Sequence, residues 1–336
     1  MITNGNVQHN GGSLKVDTLY AAGAFSRSDP AFQSSNGDVL FGGDITNMGG
    51  PGSVIGGNLS SGGSIQFLTP ASTRVAGNVT AAHNVSQPFP FSEIDGNLIA
   101  GGDVNIQGKV LGNVQYGGTY TAGASAMVGG SVSHGGAVTP TPYIPLSLPP
   151  GRNLAAGSGN IALSNFETRT ILPGAYGALA FASSNTVNLS AGQYVFSDIT
   201  STFSLNKLNF DTSAGPINIY IANPNYHFNL AQYVNGQWVS LGTPNPFDST
   251  KIFLESPGSI TIDSNFWGTV FAPSGDITVS TLESVTGQLL ASGDVTLGDS
   301  DVTLIPEPAS LGCLGVALMI SRRRKRIGLR LLCVGQ

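Results

Sequence analysis

Four aspartates, Asp44, Asp103, Asp276 and Asp294, each stand between a glycine and an aliphatic residue. Carboxylates suit acid–base work on glycosidic bonds, but that chemistry needs two of them converging in a cleft, about 5–10 Å apart. A residue type set by a repeating slot is first of all a turn former. Asp299 and Asp301 make an acidic pair able to meet Ca²⁺, yet the chain has no EF-hand loop and no Gly-Gly-x-Gly-x-Asp nonapeptide. The histidines at 9, 83, 134 and 227 lack ligand spacing, and neither a Ser-His-Asp pattern, a nucleophile elbow nor a phosphate loop occurs. No cofactor, metal or catalytic residue is expected. What remains is aromatic: Tyr226, Tyr233 and Trp238 can stack on sugar rings or bind another protein, or pack back as a lid.

The elements that must hold these residues are short strands. Gly, Ser, Thr, Asn and Val dominate, 46 residues are glycine, and only 10% are charged, an all-β composition. From Pro306 onward the chain carries six of its 14 basic residues and one of its 19 acidic ones. Residues 1–305 therefore hold 8 basic and 18 acidic residues, a poor match to nucleic acid, whose phosphates need clustered Lys or Arg. Both cysteines, Cys313 and Cys333, lie in that last segment, leaving the rest without thiol chemistry.

Periodicity sets the architecture. A small residue, then Asp, Asn or Ser, then an aliphatic recurs in pairs six residues apart. Gly37-Asp38-Val39 is followed by Gly43-Asp44-Ile45, Gly57-Asn58-Leu59 by Gly63-Ser64-Ile65, and Gly96-Asn97-Leu98 by Gly102-Asp103-Val104. Later, Gly258-Ser-Ile, Gly275-Asp-Ile and Gly293-Asp-Val follow the same rule. A coil of about 18 residues with six-residue sub-periods predicts a three-sided β-solenoid, a parallel β-helix. The bias of parallel crossovers makes it right-handed. Glycine is expected at the corners because φ > 0 is cheap there, with Asp or Asn bonding its own turn. A sandwich with turns every 8–12 residues is the alternative.

The first half resembles bactofilin-type polymer-forming domains. The second, through Leu172-Pro-Gly-Ala-Tyr176 and Phe271-Ala-Pro-Ser-Gly-Asp276, is similar to the β-helical surface domains called choice-of-anchor A. The expected organisation is an N-terminal cap over 1–34, solenoid repeats over 35–139, and a proline-rich strap or linker over 140–157. The solenoid then continues over 158–305, interrupted by an insertion loop over 223–247, and a sorting segment spans 306–336.

That segment runs from Pro306-Glu307-Pro308 through an apolar stretch containing Ala309, Leu311, Leu314, Val316, Leu318 and Ile320. It then reaches the basic cluster Arg322, Arg323, Arg324, Lys325 and Arg326. It resembles the PEP-CTERM sorting signal. The resemblance implies export, a C-terminal hydrophobic helix anchoring the chain in the membrane at least transiently, and an exosortase-type processing enzyme as partner. The chain continues from Ile327 to Gln336, where such signals stop, and opens without a basic or apolar leader; a start upstream of Met1 is the expectation.

Together these readings describe a non-enzymatic protein of the cell envelope, surface or extracellular matrix, structural or adhesive, meeting exopolysaccharide or its own copies. A secreted β-helix polysaccharide lyase or hydrolase and a bactofilin-like filament scaffold are the alternatives.

Overall fold

The computed structural model describes residues 1–27, 33–67, 72–135, 148–202, 205–239 and 248–304. Met1–Ile305 forms one compact unit. It is a parallel β-solenoid with three faces per coil, the antiparallel pair among its described strands being Ala231–Val234 with Gln237–Trp238. Its strands are mostly three to five residues long, and the alternation predicted for rungs is present: in Val39–Phe41, Val79–Ala81 and Ile277–Val279 the outer two residues are buried and the middle one faces out. Val39, Leu59, Val79, Leu98 and Val114 stack in register on one face, one residue per coil, all buried. Each coil thus buries a few aliphatics, and its backbone pairs with the coils on either side.

The coils do not stack in chain order. Ile2 pairs with Leu290 on one side and with Tyr20 on the other. Val7 likewise lies between Val295 and Phe25, and Leu14 between Val302 and Gln33. The chain start is therefore inserted against its last described coil, in the middle of one column. Residues 161–304 build one half from the outside inward, and residues 1–134 build the other from the middle outward. The first face has fourteen rungs between Gly174–Ala175 and Val132–His134, about 62 Å at 4.8 Å per rung.

This order corrects the expected N-terminal cap over 1–34. Residues 1–27 form regular coils, because Gly5-Asn6-Val7 continues the Gly293-Asp294-Val295 ladder: Asp294 Oδ1 accepts the Asn6 N–H at 2.6 Å. The expected insertion loop is corrected as well. Asn225–Phe228 and Ala231–Val234 are in-register strands paired with Ser259–Ile262 and Lys207–Asp211. Residues 240–247 of that loop lie outside the described residues.

The corners work differently from the expectation. Gly57, Gly77 and Gly96 do not have positive φ. Their constraint is vertical: a Cβ at Gly57 would stand 2.5 Å from Asp38 Oδ1, and one at Gly77 or Gly96 would stand 2.6 Å from the carbonyl of the corner below. The neighbouring Asn or Asp does not bond its own turn. Asp38, Asn58, Asn78, Asn97 and Asn113 each accept, through Oδ1, the backbone N–H of the corner one coil on, at 2.8–2.9 Å. Glycine with positive φ appears at Gly268 and Gly287, both at 146°, where Phe266–Ala272 and Ser284–Ala291 turn between faces without breaking.

The expected C-terminal membrane helix is also corrected. Among the described residues no helix is long and apolar enough to cross a membrane, and the single helical element is the 3₁₀ turn Ser249–Lys251. The membrane anchor, the exosortase-type partner and the membrane-anchored location rested on the expected helix and find no support among the described residues. Pro306, Glu307, Pro308, the apolar run and the basic cluster lie outside the described residues.

Candidate functional site

The regular backbone presents three outer surfaces of different chemistry. On the second face the outward row runs His227, Thr261, Thr278, Thr296, Gln8 and Ser26, one residue per coil in continuous register. The register shifts where Ile45–Met48 meets Ile65–Phe67, at Asn47, which has φ 58°. The row then resumes with Gln66, Ser86, Asn105 and Thr121. All ten side chains are exposed or half-exposed. Apart from His227, whose Nδ1 lies 3.2 Å from Asp263, none can carry charge. The result is a straight, neutral strip of hydroxyls and amides.

The third face carries the ions. Lys15, Arg74, Glu93 and Lys109 point outward there, with Arg74 forked onto Asp95 at 2.6–3.2 Å and Lys109 3.8 Å from Glu93.

Over part of its length the first face is mainly apolar on its outside too, its outward row reading Val195, Tyr220, Glu255, Phe271, Leu290, Ile2, Tyr20 and Leu40 before it passes to Ser60, Thr80, Ile99, Gln115 and Ser133. The first five of these are buried although they point away from the interior. Residues 151–154 lie across this row. Arg152 donates its backbone N–H to Glu255 Oε1 at 2.5 Å, its guanidinium sits 5.4 Å over the Tyr220 ring, and Gly151 packs so closely on Pro273 that a Cβ would stand 2.5 Å from its Cγ. Between strap and face is a cleft of about 280 Å³. Burial pushes the Glu255 carboxyl above its ordinary pKa, and the Arg152 N–H and charge pull part of the way back. Burial raises the Tyr220 phenol also; Arg152 lowers it and Glu255 raises it.

The sequence-predicted aromatics separate. Tyr226 is in the interior, 1% exposed, its phenol pKa raised by burial, and is not available to a partner. Tyr233 and Trp238 face each other across the antiparallel pair Ala231–Val234 and Gln237–Trp238; Lys207 lies 5.2 Å over Tyr233, and Trp238 is 62% exposed. The repeat-slot aspartates are ladder members: Asp44, Asp103 and Asp276 each accept the N–H of the next coil, at 2.6–2.8 Å. Asp301 accepts from Ser13 N and Oγ, at 2.9 and 2.5 Å. Among the described residues no three His, Cys, Asp or Glu side chains gather as metal ligands. The strap cleft was not legible as a site: Glu255 looks like any strand residue, and only Gly151 opposite a proline hints at close packing.

No protein-family model and no curated protein matches the chain. Among solved structures, an ice-binding protein from an Antarctic bacterium, Flavobacteriaceae, is similar at 13% identity, covering 91% of this chain and 96% of that one, with a TM-score of 0.30. A likeness of that size carries no argument about function.

Proposed function

We propose that this chain is a non-enzymatic structural or adhesive solenoid whose second face meets an extended, hydroxyl-rich polymer such as an exopolysaccharide. The observation that carries the reading is the uncharged row from Thr261 to Ser26. It repeats donors and acceptors every 4.8 Å or so along a rigid strip. A polymer laid along it makes many weak hydrogen bonds without stripping water from ions, and multivalency raises the total. Acid–base cleavage of a glycoside needs a second carboxylate, and the strap cleft is lined by one, Glu255.

Retention of the purified chain on insoluble polysaccharides tests this. The triple variant Thr261→Lys, Thr278→Lys and Thr296→Lys leaves the interior untouched and is expected to lower retention at least tenfold. Unchanged retention, with an unchanged circular dichroism spectrum, rules out the second face. A second reading, end-to-end association of copies, rests on the terminal strands Val132–His134 and Ile161–Ala162, each paired on one side among the described residues. Gel filtration over a hundredfold range of concentration checks it.

A further inference from the structure

One buried carboxylate in the strap cleft keeps capacity beyond the contact already given. Glu255 is 3% exposed and its described hydrogen bond is to the Arg152 backbone through Oε1 alone. A carboxylate has about four acceptor positions, so it retains capacity. Tyr220 lines the cleft with its ring, its Oη closed off from solvent. Arg152 adds guanidinium donors over the same ring and makes no ion pair among the described residues. Val195, Pro257 and Pro273 supply apolar wall.

We propose that this cleft binds one neutral, hydroxyl-bearing ring, a single pyranose unit, with Glu255 accepting from adjacent hydroxyls, Arg152 donating to a ring or hydroxyl oxygen and the Tyr220 ring forming wall. Three features select that class. The cleft, about 280 Å³, lies just below the usual range for drug-sized ligands, which suits one ring rather than a chain. The formal charges of Arg152 and Glu255 cancel, so neither an anion nor a cation is favoured. The mixture of apolar wall and convergent polar groups matches a sugar's CH face and hydroxyl edge. The site is on a different face from the polymer strip and does not depend on it.

The test is titration of the full chain with methyl α-D-glucopyranoside, methyl α-D-mannopyranoside and methyl β-D-galactopyranoside, followed by ¹H–¹⁵N NMR, with glycerol and glucuronate as controls. At least one glycoside is expected to shift the amides of Arg152, Asn153 and Glu255. Glu255→Gln, which keeps an acceptor for the Arg152 N–H, and Arg152→Gln, which removes the guanidinium, are each expected to weaken that binding at least fivefold. The second-face triple variant is expected to leave it unchanged, so failure of one proposal is distinguishable from failure of the other. Absence of shifts with all three glycosides overturns the site, as does binding indifferent to both variants. Tighter binding of glucuronate than of every neutral ring overturns the ligand class. Should Glu255→Gln fail to fold, the Arg152→Gln titration decides alone.

Discussion

The first and second faces of this solenoid share one backbone geometry and one interior, yet where residues 195–290 wind them their outward rows are opposites. Phe271 and Thr278 lie in the same coil, seven residues apart in the chain's winding, and both point away from the core. Phe271 is 1% exposed and Thr278 is half-exposed. Regular winding therefore supplies a scaffold and says nothing about the use of each face. An apolar outer row is sealed where another piece of chain lies on it, while a hydroxyl row stays with solvent or a partner.

The sharpest way to break that comparison is to truncate both. Phe271→Ala is expected to cost about 3–5 kcal/mol, as for a core aromatic, and Thr278→Ala no more than about 0.5 kcal/mol. Denaturant unfolding of the two variants measures the difference; equal effects would mean that the first face is not a second core. Next in size is Gly96→Ala, which sets a Cβ 2.6 Å from the Gly77 carbonyl and is expected to cost about 1–3 kcal/mol by overpacking. If it is neutral in a thermal melt, close approach is not what the corner glycines serve. Asn78→Ala removes the acceptor for the Asn97 N–H and is expected to cost about 1 kcal/mol, with faster hydrogen exchange at that amide.

The smallest effect is a pH dependence confined to the first face. Burial raises the Glu255 pKa, so the folded chain binds the proton more tightly than the unfolded one. Stability from this group is then greatest below the ordinary carboxyl pKa, falls as pH rises from there to the raised folded value, and is flat above it. Glu255→Gln is expected to remove that slope: the variant gains stability relative to the native chain at neutral pH and not at pH 3. Parallel melting curves from pH 3 to 8 check the sign, and an unchanged slope in the variant would show that another group causes it.

Much of the fold was legible in the chain because the repeat is local. Gly-Asn-Leu at 57–59 and 96–98 announces a rung wherever it occurs, and the inward aliphatics follow from alternation. The site was less so. Tyr226 looked like a surface aromatic because residues 223–239 depart from the repeat's wording, yet they keep its in–out alternation, and the ring is a core residue. Gly5-Asn6-Val7 and Gly23-Ala24-Phe25 carry the rung pattern too and were the signal that residues 1–27 are coils rather than a cap. Glu255 and Arg152 are 103 residues apart and share no motif; nothing local brings them together.

By itself the amino-acid sequence determined the rungs, their spacing and which side chains point inward, since alternation acts within a single coil and the glycine corners recur with the period of the coil. Only the tertiary structure decided that coil 284–304 receives coil 1–16. A parallel edge accepts any coil with matching corners, and the Asp294–Asn6 contact joins parts of the chain 288 residues apart. It alone decided that a strap crosses one outer face and leaves the other bare, because covering a surface is a matter of where distant chain passes, and no residue encodes that locally.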